Sequence, residues 1–214
     1  MKPIYLAVLF LSNSFLFAQN RIDSIFLQKT LDSGIVQYER GEYDKAVKTL
    51  KKILLSENKD TSPHILGIAN YHLGYSYNYL DSPDSVFKYI AQSIAYFQAD
   101  KDTVMLAESY YMLGFKYLVL GNYNASLENT QLAHQAYVAL QDTLGTIRSL
   151  IWISLIYHDS RQYDLGIEYG EKALELVQKT NLPNANEEQR ALNSIAISFD
   201  DRGDYDEAIA HHKK

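Results

Sequence analysis

The chain has 214 residues, 47% hydrophobic and 21% charged, with a formal net charge of −6. That apolar content can fill a core, which excludes disorder, and the acidic balance excludes an electrostatic grip on nucleic acid. The absence of cysteine excludes disulfides, thiol nucleophiles, thiolate metal sites and lipid-anchored cysteine.

Residues 1–18 carry Lys2, an apolar run from Ile4 to Phe17 broken by Ser12-Asn13-Ser14, and then Ala18. The run is shorter than the about 20 apolar residues an anchor helix needs, and it fits a secretory signal peptide cleaved near Ala18. An N-terminal packing helix or an uncleaved anchor is the competing reading. Cleavage would remove Lys2 and take the net charge from −6 to −7. The expectation is an exported protein, periplasmic or secreted, whose mature part is 19–214. No later stretch is long and apolar enough to cross a bilayer.

From residue 22 onward the sequence repeats. Gly41-Glu42-Tyr43-Asp44-Lys45-Ala46 returns as Gly121-Asn122-Tyr123-Asn124-Ala125-Ser126. It returns again as Arg161-Gln162-Tyr163-Asp164-Leu165-Gly166 and as Gly203-Asp204-Tyr205-Asp206-Glu207-Ala208, with a diverged copy at Asp81–Val86. Tyrosines 43, 123, 163 and 205 therefore stand 80, 40 and 42 residues apart. A second series of small residues, Gly34, Gly74, Gly114, Ser154 and Ala196, precedes residues 46, 86, 126, 166 and 208 by twelve. From the second copy on, a branched apolar residue precedes each small one (Leu73, Leu113, Ile153, Ile195). An aromatic follows three positions later (Tyr77, Tyr117, Tyr157, Phe199).

Apolar spacing of three and four within each copy predicts helices, and the small residue lets two helices approach closely. The turn glycines Gly41, Gly121 and Gly203 suit a left-handed helix end, and Asp44, Asn124, Asp164 or Asp206 could cap the next helix. Helical hairpins are expected near 22–57, 64–99, 103–141, 146–180 and 187–214. Connectors are placed at Asn58–Pro63, Asp100–Thr103, Asp142–Thr146 and Asn181–Glu188. Hairpins this short need neighbours to bury their faces, so the fold class is an all-α, right-handed α-solenoid of about five hairpins. The packing residues of that array are Gly34, Gly74, Gly114, Ser154, Ala196, Ala46 and Ala208.

The Leu-Gly pairs 73–74 and 113–114, the aromatics three residues on, the Gly-x-Tyr turn and Ala46 or Ala208 resemble the tetratricopeptide repeat family over nearly all of 19–214. The family unit has roughly 34 residues and this one has 40 to 42, as in long-repeat variants. Ser33, Gln37 and Pro83 depart from the pattern, and the first copy looks like a degenerate cap. The fifth copy reaches residue 214 inside its second helix, which suggests a piece of a longer protein.

The resemblance implies a concave groove lined by the first helix of each hairpin. Candidate groove residues are Tyr71, Tyr75, Asn78, Tyr111, Phe115, Arg148, Ile151, Leu155, Arg190 and Asn193. A tyrosine-rich surface suits an apolar peptide or helix, since Tyr gives wide contact and keeps a polar tip. Packing of the same tyrosines between hairpins is the alternative. The scattered Arg148, Arg190, Asn78 and Asn193 do not make the family's carboxylate clamp.

Catalytic chemistry has little to stand on. None of the six histidines has metal-ligand spacing, and there is no phosphate loop or nucleophile elbow; Ser149 and Ser154 fall inside a helical pattern. No catalytic residue, metal or cofactor is expected. Asp23-Ser24-Ile25, Asp102-Thr103-Val104 and Asp142-Thr143-Leu144 resemble bacterial O-glycosylation acceptors but stand where helix caps are wanted. The functional expectation is a non-enzymatic protein or peptide interaction module, the periplasmic sensory part of a larger signalling protein of histidine kinase or helix-turn-helix regulator type. A complete envelope-assembly scaffold is the alternative, and a peptide-regulated response-regulator phosphatase a remote one. A membrane link would come only through a further C-terminal segment.

Overall fold

The structure, a computed structural model, describes residues 24–56, 61–180 and 185–213. The expected leader 1–18 and the start of the first Asp-Ser-Ile triplet lie outside the described residues. Among the described residues there are ten helices and no strand. They are α1 (24–39), α2 (Tyr43–Leu55), α3 (Pro63–Tyr79), α4 (Pro83–Asp100) and α5 (Thr103–Val119). The remainder are α6 (Tyr123–Ala139), α7 (Thr143–Asp159), α8 (Tyr163–Thr180), α9 (Ala185–Arg202) and α10 (Tyr205–His212). None of them is long and apolar enough to cross a membrane. The chain divides into two compact units, Met1–Lys101 with α1–α4 and Asp102–Lys214 with α5–α10.

Each hairpin turn closes by the same pair of backbone bonds. Gly41 N–H donates to the Tyr38 carbonyl and Glu42 N–H to the Gln37 carbonyl, so the helix ends on two overlapping bonds. The longer bond recurs from Ser82 to Tyr77, Asn122 to Tyr117, Gln162 to Tyr157 and Asp204 to Phe199, and also at the α6–α7 connector, from Asp142 to Tyr137. The aromatic three residues past the small one thus supplies the accepting carbonyl in four of these turns. Gly41, Gly121 and Gly203 take positive φ (74°, 72° and 99°), as the turn requires. Asp81, Gln141 and Arg161 hold φ of 50° to 62° at the equivalent places without glycine's freedom.

The caps fall elsewhere than the residues after the tyrosine. Tyr43, Tyr123 and Tyr205 are the first helical residues, so the cap positions are Glu42, Asn122 and Asp204. Asn122 accepts from Ala125 N–H. Asp44 and Asp206 sit in the first turn, where a negative charge meets the positive end of the helix dipole. Asp102 and Asp142 do cap, accepting from Met105 and Gly145 N–H at 3.0 Å each.

The twelve-residue offset is a helix crossing. Ser126 Oγ donates to the Gly114 carbonyl at 2.7 Å, and Ser154 Oγ donates to the Gly166 carbonyl at 2.6 Å. The two hairpins use the same crossing with glycine and serine exchanged between the helices. At Gly34 and Gly74 the facing groups are the side chains of Leu50 and Ile90; at Gly114 they include Thr130 N and the Ser126 carbonyl. Ala46, Ala196 and Ala208 are buried. Around these crossings the first unit packs Leu27, Leu31, Leu50, Ile53, Ile65, Leu66 and Leu73 into one core. In the second unit Ile147, Leu150, Ile151, Ala173, Val177 and Ala191 form one cluster and Ile167, Ile195, Phe199 and Ala208 another.

Three predictions test this architecture. Gly114→Leu is expected to cost on the order of 1–3 kcal/mol. Gly114→Ala should lower the melting temperature more than Gly34→Ala, because at Gly114 the Thr130 hydroxyl is backed by Thr130 N and the Ser126 carbonyl, while only the Leu50 side chain faces Gly34. Equal losses would refute the crossing as described. Gln141→Gly relieves a left-handed non-glycine residue and should raise stability by about 1 kcal/mol in denaturant titration; an unchanged or lower midpoint would count against it.

Candidate interaction surfaces

In the first unit the predicted groove residues Tyr71, Tyr75 and Asn78 are half-buried on α3. Tyr71 and Tyr75 lie 4.7 Å apart by ring centroid, and Tyr38 of α1 meets the Tyr75 ring edge-on at 6.2 Å. Tyr38 also contacts Tyr79, which stacks on Tyr43 at 4.4 Å. Burial, reinforced by Tyr79, Tyr75 and Tyr43, pushes the Tyr38 hydroxyl well above the ordinary phenol range. These rings therefore serve both readings of the sequence: they tie α1 to α3 and leave partly exposed faces. Tyr38 and Tyr43, absent from the sequence list, complete the cluster.

His72 stands within this aromatic wall, edge-on to Tyr38 and Tyr71. Its Nδ1 is buried without a hydrogen-bond partner. Burial lowers its pKa from 6.5 to about 4. The unfolded chain therefore binds this proton from pH 6.5 downward while the folded chain resists it until about 4.

In the second unit Tyr111, Phe115, Arg148 and Leu155 are half-buried and Asn193 is exposed. Trp152 joins them: its ring meets Phe115 at 5.3 Å and its Nε1–H donates to the Tyr111 hydroxyl. The Arg148 guanidinium lies 5.5 Å from the Tyr111 ring, a cation–π distance. Burial acts to lower the Arg148 pKa, but Tyr111, Glu108 and Glu187 outweigh it and hold the group above its ordinary value. Arg148 Nε is buried without a hydrogen-bond partner. Tyr137 donates to Glu108 at 2.7 Å, and burial followed by that carboxylate drives the phenol pKa far upward.

Beside this wall a cleft of about 580 Å³ opens between α7 and α9. Ile151 and Leu155 supply its apolar side; Asn186, Glu187, Gln189, Arg190 and Asn193 supply its polar side. Ile151, expected as a groove residue, lines the cleft as its floor: it is 1% exposed and packs with the α8 and α9 core. Arg190 is held by Glu187 at 3.0 and 3.2 Å, which neutralises it. Amide side chains donate and accept at once, so this rim can pair with a peptide backbone, while the floor takes an aliphatic side chain.

Trp152 and Glu187 escaped the sequence reading. The only signals for them were a lone tryptophan two residues before Ser154 and a Glu three residues before Arg190. Ser149 is fully buried against His134, at 2.8 Å, so this Ser–His contact is a packing contact, inaccessible to substrate.

A family model for the tetratricopeptide repeat matches residues 144–214. No curated protein matches the sequence. Among solved structures, kinesin light chain TPR-like repeats from Podosopora anserina are 14% identical with a TM-score of 0.72, covering 87% of this chain and 92% of that one. BtubC from P. vanneervenii is 12% identical with a TM-score of 0.78, covering 94% and 82%. Aspartyl phosphate phosphatase F from Bacillus subtilis is 18% identical with a TM-score of 0.72, covering 100% of this chain and 55% of that one. At these identities the likeness shows the fold alone.

The His72 environment sets a pH dependence. Wild-type stability should fall by on the order of 2–3 kcal/mol as pH drops from 6.5 to about 4. In His72→Gln that component should vanish, so the two melting curves converge in acid; a constant difference across the range would refute it.

Proposed function

From a chain that is a tetratricopeptide repeat array in fold, and carries the family's repeats over residues 144–214, we propose an exported, non-catalytic adaptor that holds a peptide segment of a protein partner in the α7–α9 cleft. Arrays of this kind are protein–protein interaction modules, because stacked hairpins present a continuous surface made of side chains from many repeats. The observation that carries the reading is the cleft itself, with an aliphatic floor at Ile151 and Leu155, an amide rim and a rigid Tyr111–Phe115–Trp152 wall beside it. The wall orders few rotatable bonds on binding, which favours affinity. Because Glu187 neutralises Arg190, the occupant is an uncharged segment with one aliphatic anchor, in extended form.

Export rests on the composition of residues 1–18, and the sensory role in a larger envelope signalling protein rests on export together with the interaction fold. The likeness to aspartyl phosphate phosphatase F favours one other reading, a phosphatase of response regulators. The leader-like first eighteen residues speak against it, since such enzymes act in the cytoplasm.

The single tryptophan makes the binding test direct. A displayed peptide library should enrich extended, aliphatic, uncharged sequences, and adding them should change Trp152 fluorescence. Leu155→Glu is expected to weaken that binding at least tenfold with helical circular dichroism unchanged. Enrichment of sequences indifferent to Leu155→Glu would sink the cleft as the site. The intact mass of the native protein from membrane and soluble envelope fractions tests the cellular reading. A membrane species far heavier than 24.5 kDa supports the sensor, while a soluble species lacking about the first eighteen residues supports a free-standing scaffold.

A further inference from the structure

The cleft between α7 and α9 has more cation beside it than its neutral rim suggests. Arg190 donates to Glu187 at 3.0 and 3.2 Å, and both bonds leave one nitrogen, Nη1. That pairing uses one corner of a fork able to grip a carboxylate with two nitrogens. Arg148 stands on α7 one helical turn before Ile151 of the cleft floor, about 4.5 Å along the axis. Its Nε is buried without a hydrogen-bond partner, and its guanidinium lies against the Tyr111 ring. Two guanidiniums therefore stand at one cleft with donors to offer.

Glu187 is the carboxylate on their side. It is 8% exposed, lines the cleft and sits in the first turn of α9, where the helix dipole favours a negative charge. Its influence extends beyond Arg190: burial pulls the Arg148 pKa down, and Tyr111, Glu108 and Glu187 more than reverse it. Glu108 is already bonded by the Tyr137 hydroxyl at 2.7 Å, which leaves Glu187 as the charge an entering ligand meets. A ligand carboxylate would have to displace Glu187, stranding a buried charge, or lie beside it against like-charge repulsion. A backbone or side-chain amide can take the spare donors and leave Glu187 where it is.

We infer that Glu187 is the specificity-determining residue of the cleft: it stands where a ligand carboxylate would, and makes the site select amides over acids beside the aliphatic anchor. This rests on the cleft being the peptide site and adds what that site refuses. The remaining donors of Arg148 and Arg190 hold carbonyl oxygens of the bound segment. Selectivity then comes from a repulsive group built into the site, so removing that group widens what the cleft accepts.

Panning one displayed peptide library against wild type and Glu187→Gln tests this. Wild type should deplete Asp and Glu next to the aliphatic anchor, and Glu187→Gln should enrich them there. The leading wild-type peptide is then compared with its counterpart carrying glutamate on both sides of the anchor, by Trp152 fluorescence. Wild type should prefer the uncharged form roughly tenfold, and Glu187→Gln should reverse the preference. Adding Arg148→Met to Glu187→Gln should take back most of the gain for the glutamate peptide, which a merely loosened α9 would not show. Circular dichroism checks that each variant is folded, and Glu187→Ala replaces Glu187→Gln if the latter is not. An unchanged ratio between the two peptides, or a wild type that favours glutamate, would overturn the inference while the cleft stands as the site. Enriched peptides indifferent to Leu155→Glu would remove the cleft as the site, and this inference with it.

Discussion

Everything in this protein depends on how closely two helices of one hairpin can cross. At the crossing one partner must have almost no side chain, and the sequence meets that demand in two ways. A glycine or alanine faces a large aliphatic, as Gly34 faces Leu50, or a serine reaches over to bond the carbonyl of the glycine opposite, as at Ser126 and Ser154. The second solution satisfies a hydroxyl inside the core and adds a directional bond where aliphatic contact alone leaves sliding freedom. Once the crossing distance is set, the turn, the capping residue and the next hairpin's seat follow from it.

Much of that was legible in the sequence because it is written in spacing. The twelve-residue offset, the turn glycines and the branched residue before each small one are local, periodic and repeated, so five noisy copies reinforce one another. Depth was harder to read. Ile151 stands at a groove position by its offset and lines the cleft, but only as a deep floor, because the first helices of successive hairpins pack side by side. Caps were displaced because the tyrosine belongs to the helix it precedes, a one-residue matter that sequence spacing does not resolve. Trp152 was passed over because its role depends on Tyr111 and Phe115, some forty residues earlier in the chain.

The tyrosine-rich composition has a double use. In the first unit the rings around Tyr38 fasten one hairpin to the next while exposing their edges. In the second unit the aromatics form a stiff wall, and the adaptable polar groups stand apart on α9. A surface built so separates rigidity from recognition: the wall keeps its shape, and the amide rim can change partners with few substitutions.

The reach of the interactions carries a consequence for how the chain folds. The side-chain hydrogen bonds and ring contacts described above span at most 41 residues, the separation of Tyr111 and Trp152. Such low contact order lets each hairpin find its neighbour without first closing a long loop. A nascent chain can therefore add one hairpin at a time to a stack already formed, and a damaged hairpin can open without unravelling distant ones. Topological locality of this kind makes the array tolerant of inserted or deleted copies, so its length is free to vary while the crossing at each hairpin stays the same.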